Sequence, residues 1–264
     1  MGARVGTTLL AEDGTAIEAV YVPGPVGVPA IVVAHGFTGS VDRPAVRRAV
    51  EVFGRYAPVV AFSFRGHGRS GGRSTVGDLE VQDLAAAVAW ARRLGHGRVV
   101  TVGFSMGGSV VVRHAALHRG DGGGRTGAHA DAVVAVSAPA RWYYRGTAPM
   151  RRLHWAVELP VGRVVSRVAL RTRIAARRWD PVPLSPVAAA PLITAPLLIV
   201  HGDRDAYFPL DHPRSLAAAA PGAELWVEAG FGHAENAAPE ALLERVAQWA
   251  VGDQQGGQQG GSAA

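Results

Sequence analysis

The residues with the clearest chemical potential are a serine and its flanking glycines, in the motif Gly103-Phe104-Ser105-Met106-Gly107-Gly108. An apolar β-branched run, Val99–Val102, directly precedes the motif, and a helical pattern directly follows it. A sharp strand-to-helix turn lifts a serine hydroxyl clear of a sheet, and its strained backbone needs small residues two positions to either side. The start of a helix also favours negative charge that develops beside it. The pattern therefore predicts a nucleophilic Ser105, with a serine that only caps the helix as the alternative.

A serine hydroxyl becomes a useful nucleophile only when a base takes its proton, and the base must itself be oriented by an acid. The order serine, acid, histidine that is typical of such a turn places both partners downstream of Ser105. His233 is the only histidine after the last predicted strand, and it lies in the glycine-rich segment Gly230-Phe231-Gly232-His233-Ala234-Glu235. We predict that His233 is the base, with a solvent-exposed loop histidine as the alternative.

Two carboxylates compete for the role of the acid, Asp203 and Asp205, which both follow the apolar run Leu197–His201. Asp205 is the predicted acid. Asp203 is kept as the alternative because it lies next to the strand end, where an aspartate often closes a turn or pairs with a neighbour such as Arg204. No acid follows Val133–Ser137, the other strand that could supply one.

The elements that must position these residues are short apolar runs alternating with helical patterns. Near-continuous apolar runs such as Ile31–Val33 and Leu197–Val200 suit the central strands of a parallel sheet covered on both faces. The alternation predicts an α/β protein with a doubly wound, mostly parallel sheet. The predicted strands are Ile17–Val22, Ile31–His35, Val59–Phe64, Val99–Gly103, Val133–Ser137, Leu197–His201 and Glu224–Glu228. The predicted helices are Arg43–Gly54, Val76–Leu94, Gly107–Leu117, Asp211–Ala220 and Pro239–Val251.

Three segments depart from this alternation. Residues 119–130 contain three consecutive glycines and are predicted to form a flexible surface loop. Residues 138–195 are too long for a plain crossover, so we predict an inserted helical cap over the carboxyl edge of the sheet. Residues 252–264 consist mainly of Gly, Gln, Ser and Ala and are predicted to be a disordered tail. We therefore expect a single domain over residues 1–251.

Composition excludes several classes of protein. The chain of 264 residues has no cysteine, which excludes a disulfide scaffold, a cysteine zinc site and a thiol nucleophile. All 27 basic residues are arginine, and ten of them fall between residues 141 and 178 with one acid, Glu158. Elsewhere 20 acids outnumber 17 arginines, so a nucleic-acid partner is not predicted. With neither an apolar leader in Met1–Asp13 nor an apolar run long enough to span a bilayer, a cytoplasmic location is expected.

The arginine-rich part of the cap leaves three interpretations open. Val161–Arg178, taken as one helix, places Leu170 and Ile174 among the arginines. One side would carry Val161, Val164, Val165, Val168, Ala175 and Ala176, and the other Arg163, Arg167, Arg171, Arg177 and Arg178. In the first interpretation the helix is a lid with its apolar side on the core. In the second it binds an anionic substrate such as a carboxylate or an acyl-CoA phosphate. In the third it attaches the protein to an anionic membrane.

Two further motifs complete a resemblance to a known family. His35-Gly36-Phe37-Thr38-Gly39-Ser40 follows one predicted strand, and Arg65-Gly66-His67-Gly68-Arg69-Ser70 follows the next. Together with the serine, acid and histidine segments, they make the chain resemble the α/β-hydrolase superfamily, in its serine esterase and lipase branch, over roughly residues 5–251. Among its cap-bearing members, it resembles monoacylglycerol-lipase-like and cinnamoyl-esterase-like enzymes.

The resemblance implies a site and a reaction. The backbone N–H groups of Phe37 and Met106 would form the oxyanion hole, and the cap would be inserted after strand 6. The implied reaction is hydrolysis of a carboxylic ester through an acyl-enzyme intermediate, with Ser105, His233 and Asp205 as the triad and without metal or cofactor. The alternatives are a thioesterase, an amidase or peptidase, an acyltransferase on the same triad, or a non-catalytic binding protein of this fold.

Overall fold

The computed structural model describes residues 3–121 and 127–252. Within these residues, eight strands form one sheet in the order β1-β2-β4-β3-β5-β6-β7-β8. The strands are β1 (Val5–Leu10), β2 (Ala16–Val22), β3 (Ala30–Ala34), β4 (Val59–Phe62), β5 (Val99–Phe104), β6 (Ala132–Val136), β7 (Leu197–Gly202) and β8 (Glu224–Glu228). The first two joins of the sheet are antiparallel and all the others are parallel. The predicted doubly wound, mostly parallel sheet is confirmed.

All seven predicted strands are present, and β1 was missed. Strand β1 lies at the edge of the sheet and pairs only with β2. Of its six residues only Leu9 is buried, so its sequence has neither an apolar run nor a clear alternation. An edge strand with so little buried surface leaves almost no signal in the sequence.

Helices cover both faces of the sheet and create two apolar cores. The helices are α1 (Pro44–Phe53), α2 (Glu80–Arg93), α3 (Met106–Leu117), α4 (Ala148–Glu158), α5 (Pro160–Ala169), α6 (Pro186–Ala189), α7 (Asp211–Ala219), α8 (Ala234–Ala237) and α9 (Glu240–Val251). Helices α1 and α9 pack on one face, and α2 and α3 pack on the other. The five predicted helices are confirmed, with one shifted start: α2 begins at Glu80 rather than Val76. Its first residue explains the shift, since the Glu80 carboxylate accepts the N–H groups of Thr75, Val76 and Gly77 and so fixes a turn before the helix.

The segment between β6 and β7 differs from the predicted helix Val161–Arg178, which was wrong beyond Ala169. Helix α5 ends there because Arg171 adopts a left-handed φ of 54° and the Thr172 N–H turns back to the Ser166 carbonyl. The following residues extend alongside residues 66–75, where Ser74 and Ile174 form a parallel bridge. Ile174 is buried, so it is not part of an arginine face.

The orientation of α5 is the reverse of the predicted one. Its buried residues are Gly162 and Ser166, whereas its four valines face outward with exposures of 66% (Val161), 61% (Val164), 43% (Val165) and 75% (Val168). The cause is a close approach to α4: a Cβ on Gly162 would lie 2.7 Å from the Cα of Ala156. The small residues therefore form the contact, and the apolar side is left uncovered. The interpretation of α5 as a lid with its apolar side on the core is wrong.

Two other sequence predictions fall partly outside the described residues. The predicted loop at 119–130 includes residues 122–126, and the predicted tail at 252–264 is described only at Gly252. The single domain over residues 1–251 stays a prediction, in keeping with the one sheet that joins every described strand.

Candidate active site

Ser105 lies at the turn between β5 and α3, at the carboxyl edge of the sheet. Its φ of 52° and ψ of −113° are a strained conformation for a residue with a side chain. The flanking glycines permit the turn. A Cβ on Gly103 would collide with the backbone of Gly107, and a Cβ on Gly107 would collide with the carbonyl of Ala34 on β3. The sequence motif thus adopts the strand-to-helix turn that was expected of it.

The turn presents the hydroxyl of Ser105 to His233. The Oγ atom lies 2.9 Å from Nε2 of His233, although the two residues are 128 positions apart. His233 follows β8 and immediately precedes α8, where the N–H of Ala234 donates to the hydroxyl of Ser137. The ring of Tyr207 stacks on the imidazole with a centroid distance of 4.2 Å. Packing and hydrogen bonding therefore fix the position of the ring.

Asp205 completes a hydrogen-bonded chain with these two residues. Its Oδ2 atom lies 2.7 Å from Nδ1 of His233, and its Oδ1 atom accepts the N–H groups of Tyr207 and Phe208. Burial acts to raise the pKa of Asp205, but the hydrogen bonds from His233 and Phe208 outweigh it and hold the pKa below its usual value. Asp205 is therefore held as a carboxylate. Asp203, the alternative acid, is exposed and accepts the N–H of Gly230, which joins the loop after β7 to the loop after β8.

The backbone N–H groups of Phe37 and Met106 are the candidate oxyanion donors. Met106 is the first residue of α3, so its N–H has no partner within the helix. Phe37 follows β3, next to Gly36, where a Cβ would lie 3.4 Å from the Cβ of Ser105. Within residues 3–121 and 127–252, neither N–H has a hydrogen-bond acceptor.

Comparisons with known proteins agree with this geometry. A family profile described as alpha/beta hydrolase fold matches residues 29–145, which hold β3, the turn at Ser105 and β6. A monoacylglycerol lipase of Mycolicibacterium smegmatis is 28% identical over 259 residues, covering 84% of this chain and 87% of the relative. The chain has the α/β-hydrolase fold. Among proteins of this fold it is similar to esterases and lipases.

Solved structures with the same fold superpose on this chain. An esterase of Pyrococcus furiosus superposes with a TM-score of 0.70 at 25% identity, covering 94% of this chain and 90% of that one. A protein of Butyrivibrio proteoclasticus with bound ferulic acid superposes with a TM-score of 0.65 at 19% identity, covering 92% and 97%. The second similarity concerns the fold alone.

Two histidines of the hydrolase near the site have structural contacts. The Nε2 atom of His35 accepts the N–H of Phe64, and the Nε2 atom of His67 accepts the N–H of Thr38. Burial, assisted by the neighbouring His67, lowers the pKa of His35 to about 3, so its ring is neutral at physiological pH. These contacts hold the loop that carries Phe37, so both histidines have a structural role.

Sequence reasoning missed Glu235. This glutamate is 4% exposed, and its Oε1 atom accepts the N–H of Gly36 at 2.9 Å. The only signal in the sequence was an acid two positions after the candidate base His233. A glutamate in a polar loop is normally solvated, so the sequence alone gave no reason to single it out.

A cavity of about 1050 Å³ opens beside Ser105 and His233. Much of its wall comes from the segment between β6 and β7, including Trp155 of α4 and Ser166 of α5. Three exposed arginines in the wall have guanidinium groups that make no hydrogen bond or ion pair with any described residue: Arg152, Arg177 and Arg178. The hydrolase thus has an apolar and aromatic cavity with cationic groups in its wall.

Neither a metal centre nor a membrane span was identified in residues 3–121 and 127–252. No group of three or more histidine or acidic side chains there could hold a metal ion. None of the helices described above combines the length and the apolar character needed to cross a membrane.

Proposed function

We propose that this α/β-hydrolase is a serine esterase that cleaves a carboxylic ester through an acyl-enzyme intermediate. The observation that carries the proposal is the hydrogen-bonded chain from Ser105 through His233 to Asp205. Relatives described as a monoacylglycerol lipase and an esterase support an ester as the substrate class.

The geometry supports a two-step reaction. Ser105 Oγ attacks the acyl carbon while Nε2 of His233 takes the hydroxyl proton, and the resulting tetrahedral intermediate collapses as His233 returns that proton to the leaving alcohol. Water then attacks the acyl-enzyme, with His233 again as the base, and releases the carboxylic acid and the free serine. Asp205 keeps the Nδ1 proton on the imidazole and stabilises the imidazolium in both steps.

The N–H groups of Phe37 and Met106 would stabilise the oxyanion of both tetrahedral intermediates. Both are backbone donors with fixed positions, so they need no reorganisation when charge develops. The loss of one such donor costs about 100- to 1000-fold in kcat in well-studied enzymes. This pair of donors distinguishes a catalytic site from a serine that only caps a helix.

The cavity has room for the acyl ester that the proposal requires. Its volume of about 1050 Å³ is slightly above the range of ordinary ligand sites, roughly 300 to 1,000 Å³. A thioester, an amide or an acyl-transfer acceptor would use the same residues, so these reactions remain alternatives within the proposal. No metal or organic cofactor enters any step.

The outward valines of α5 support a second contact, with an anionic lipid surface. Val164 and Val168 are exposed beside Arg167. They lie within residues 141–178, a segment that contains ten arginines and one acid. An amphipathic helix with basic residues next to aliphatic ones suits a membrane surface of negative charge. The alternative is an anionic substrate group bound in the cavity by Arg152, Arg177 or Arg178. A cytoplasmic location stays a prediction.

Labelling with a fluorophosphonate probe tests the proposal. The wild type should react and Ser105→Ala should not, with both proteins shown to be folded by circular dichroism. A series of p-nitrophenyl esters of increasing chain length would then give the size of the acyl site. A folded wild type that neither labels nor hydrolyses any ester would contradict the proposal and favour a non-catalytic binding protein.

A further inference from the structure

Glu235 is a buried acid that the proposed reaction does not use. It lies in the short helix α8, two residues after His233, and its side chain points toward the loop after β3. Among the described residues no side chain of opposite charge pairs with it. Burial of a carboxyl group without a cationic partner costs folding free energy, which indicates that Glu235 has a role other than stability.

The carboxyl group of Glu235 occupies the space beside Gly36. A Cβ on Gly36 would lie 3.1 Å from each of the two Glu235 oxygens and 3.4 Å from the Cβ of Ser105. Oε1 accepts the Gly36 N–H, and Oε2 is buried without a hydrogen-bond partner among the residues that the structure describes. The carboxyl group is thus packed against the residue that precedes Phe37, a few ångströms from the candidate nucleophile.

The backbone of Glu235 is held independently of its side chain. Arg48 on α1 donates to the carbonyls of Glu235 at 2.7 Å and of Ala238 at 3.0 Å. On the other side, the N–H of Ala234 donates to Ser137 at 3.1 Å. Helix α8 is therefore fixed at both ends, and a group attached to it can set the position of a neighbouring loop.

We infer that Glu235 is a positioning residue, which joins the loop of His233 to the loop of Phe37 by accepting the N–H of Gly36. The inference rests on the proposed function, because it assigns the Phe37 N–H to the oxyanion. With the Gly36 peptide held at 2.9 Å from Oε1, the next N–H along the chain keeps its direction toward the acyl oxygen. A single side chain then fixes the position of the base relative to the oxyanion donor.

The charge state of Glu235 is compatible with this role. Burial raises the pKa of Glu235, although the Gly36 hydrogen bond and His233 act in the opposite direction. In either charge state the carboxyl group has an oxygen atom that can accept the Gly36 N–H. Glutamine has the same shape and the same acceptor, so it should replace Glu235 in this function.

Three substitutions separate the hydrogen bond from the charge and the volume. Glu235→Gln keeps the acceptor and should retain kcat within about threefold. Glu235→Met fills the space without an acceptor, and Glu235→Asp keeps the carboxyl group but withdraws the acceptor by about one carbon–carbon bond, roughly 1.5 Å. Both should lower kcat about 10- to 100-fold with KM changed less than threefold, because the lost interaction acts on the transition state.

Glu18→Met is the matched control. Glu18 is also buried, and its carboxylate accepts the Arg69 N–H and the Ser63 hydroxyl away from the cavity. The control should lower the melting temperature and leave kcat per labelled serine unchanged. If Glu235→Met does not fold, Glu235→Asp provides the same comparison with a smaller loss of volume.

The outcomes distinguish this inference from the proposed function. An active wild type with kcat retained in Glu235→Met or Glu235→Asp would overturn the positioning role and leave the esterase proposal intact. Retention in aspartate with loss in glutamine would also overturn it, because charge rather than the hydrogen bond would then matter. A folded wild type without labelling or hydrolysis overturns both.

Discussion

The carboxylate of Asp205 lies 2.7 Å from Nδ1 of His233, and the two residues come from different loops at the same edge of the sheet. Only two positions earlier, Asp203 faces solvent and accepts the N–H of Gly230. A short sequence segment therefore contains one carboxylate that is hydrogen-bonded to the candidate base and another that joins two loops.

Exchange of each aspartate for asparagine should separate these two roles. Asp205→Asn removes the carboxylate that holds the histidine tautomer, so kcat should fall about 1000- to 10,000-fold. Asp203→Asn should retain kcat within a few-fold. Steady-state kinetics on a p-nitrophenyl ester, with the melting temperature as a check on folding, measures both effects. Equal losses in the two variants would show that the acid has been misassigned.

The outward valines of α5 should contribute little to the stability of the fold. Val164→Ser together with Val168→Ser should change the free energy of unfolding by less than about 0.5 kcal/mol per site, because both side chains are mostly exposed. The same variant should bind less tightly to vesicles of phosphatidylglycerol in a sedimentation assay. Unchanged sedimentation would argue against the lipid contact.

Gly162→Val is the contrasting variant for the same helix. It places a branched side chain where α5 contacts α4, at a position where even a Cβ would lie 2.7 Å from the Cα of Ala156. Overpacking of this kind costs about 1–3 kcal/mol. Gly162→Val should therefore unfold at a lower temperature than the wild type, although the substitution adds apolar surface.

Reversal of charge should distinguish a lipid surface from an anionic substrate. The suitable positions are Arg167 and Arg178, since Arg163 donates to the last carbonyls of α4 and its loss would disturb that helix. Arg167→Glu with Arg178→Glu should weaken binding to phosphatidylglycerol vesicles at least tenfold, at about 1 kcal/mol for each basic residue near such a surface. The KM for a neutral soluble ester should be unchanged. A higher KM confined to an ester with a carboxylate group would favour the anionic substrate instead.

Buried histidines should make the fold sensitive to mild acid. Burial lowers the pKa of His212 to about 4 and that of His35 to about 3, whereas an unfolded histidine titrates near 6.5. Below pH 6.5 the unfolded chain binds protons that the folded chain does not, so stability is complete above that pH and is lost as the pH falls. Each histidine removes up to about 1.4 kcal/mol per pH unit between its two pKa values.

Urea unfolding at pH 7 and at pH 5 measures this dependence. His212→Gln keeps an acceptor for the Ala140 N–H and cannot titrate. Between pH 7 and pH 5 the variant should therefore lose roughly 2 kcal/mol less unfolding free energy than the wild type. An identical loss in the variant and the wild type would show that His212 does not contribute.

Much of the architecture could be predicted because its signals are strong and local. The central strands are continuous apolar runs, and the turn at Ser105 needs glycine at two fixed positions. Since parallel strands end at one edge of the sheet, the residues after β5, β7 and β8 had to approach one another there. The sequence order alone thus brought Ser105, Asp205 and His233 into the same region.

Other features depend on tertiary contacts that local patterns do not report. The orientation of α5 was predicted from its valines, but it is decided by the absence of side-chain volume at Gly162. The contact of Glu235 joins it to a residue 199 positions away, and no periodicity links the two. A hydrophobic pattern predicts which side of a helix is apolar but does not establish that a partner exists to cover that side.

The outward side of α5 is also a suitable position for a spectroscopic label. Because the chain has no cysteine, a cysteine introduced at Val168 would be its only thiol. At 75% exposure, that position would accept a fluorophore or a spin label without disturbing the contact of Gly162 with α4. A single reporter could then follow the insertion between β6 and β7 during turnover, against a background free of competing thiols.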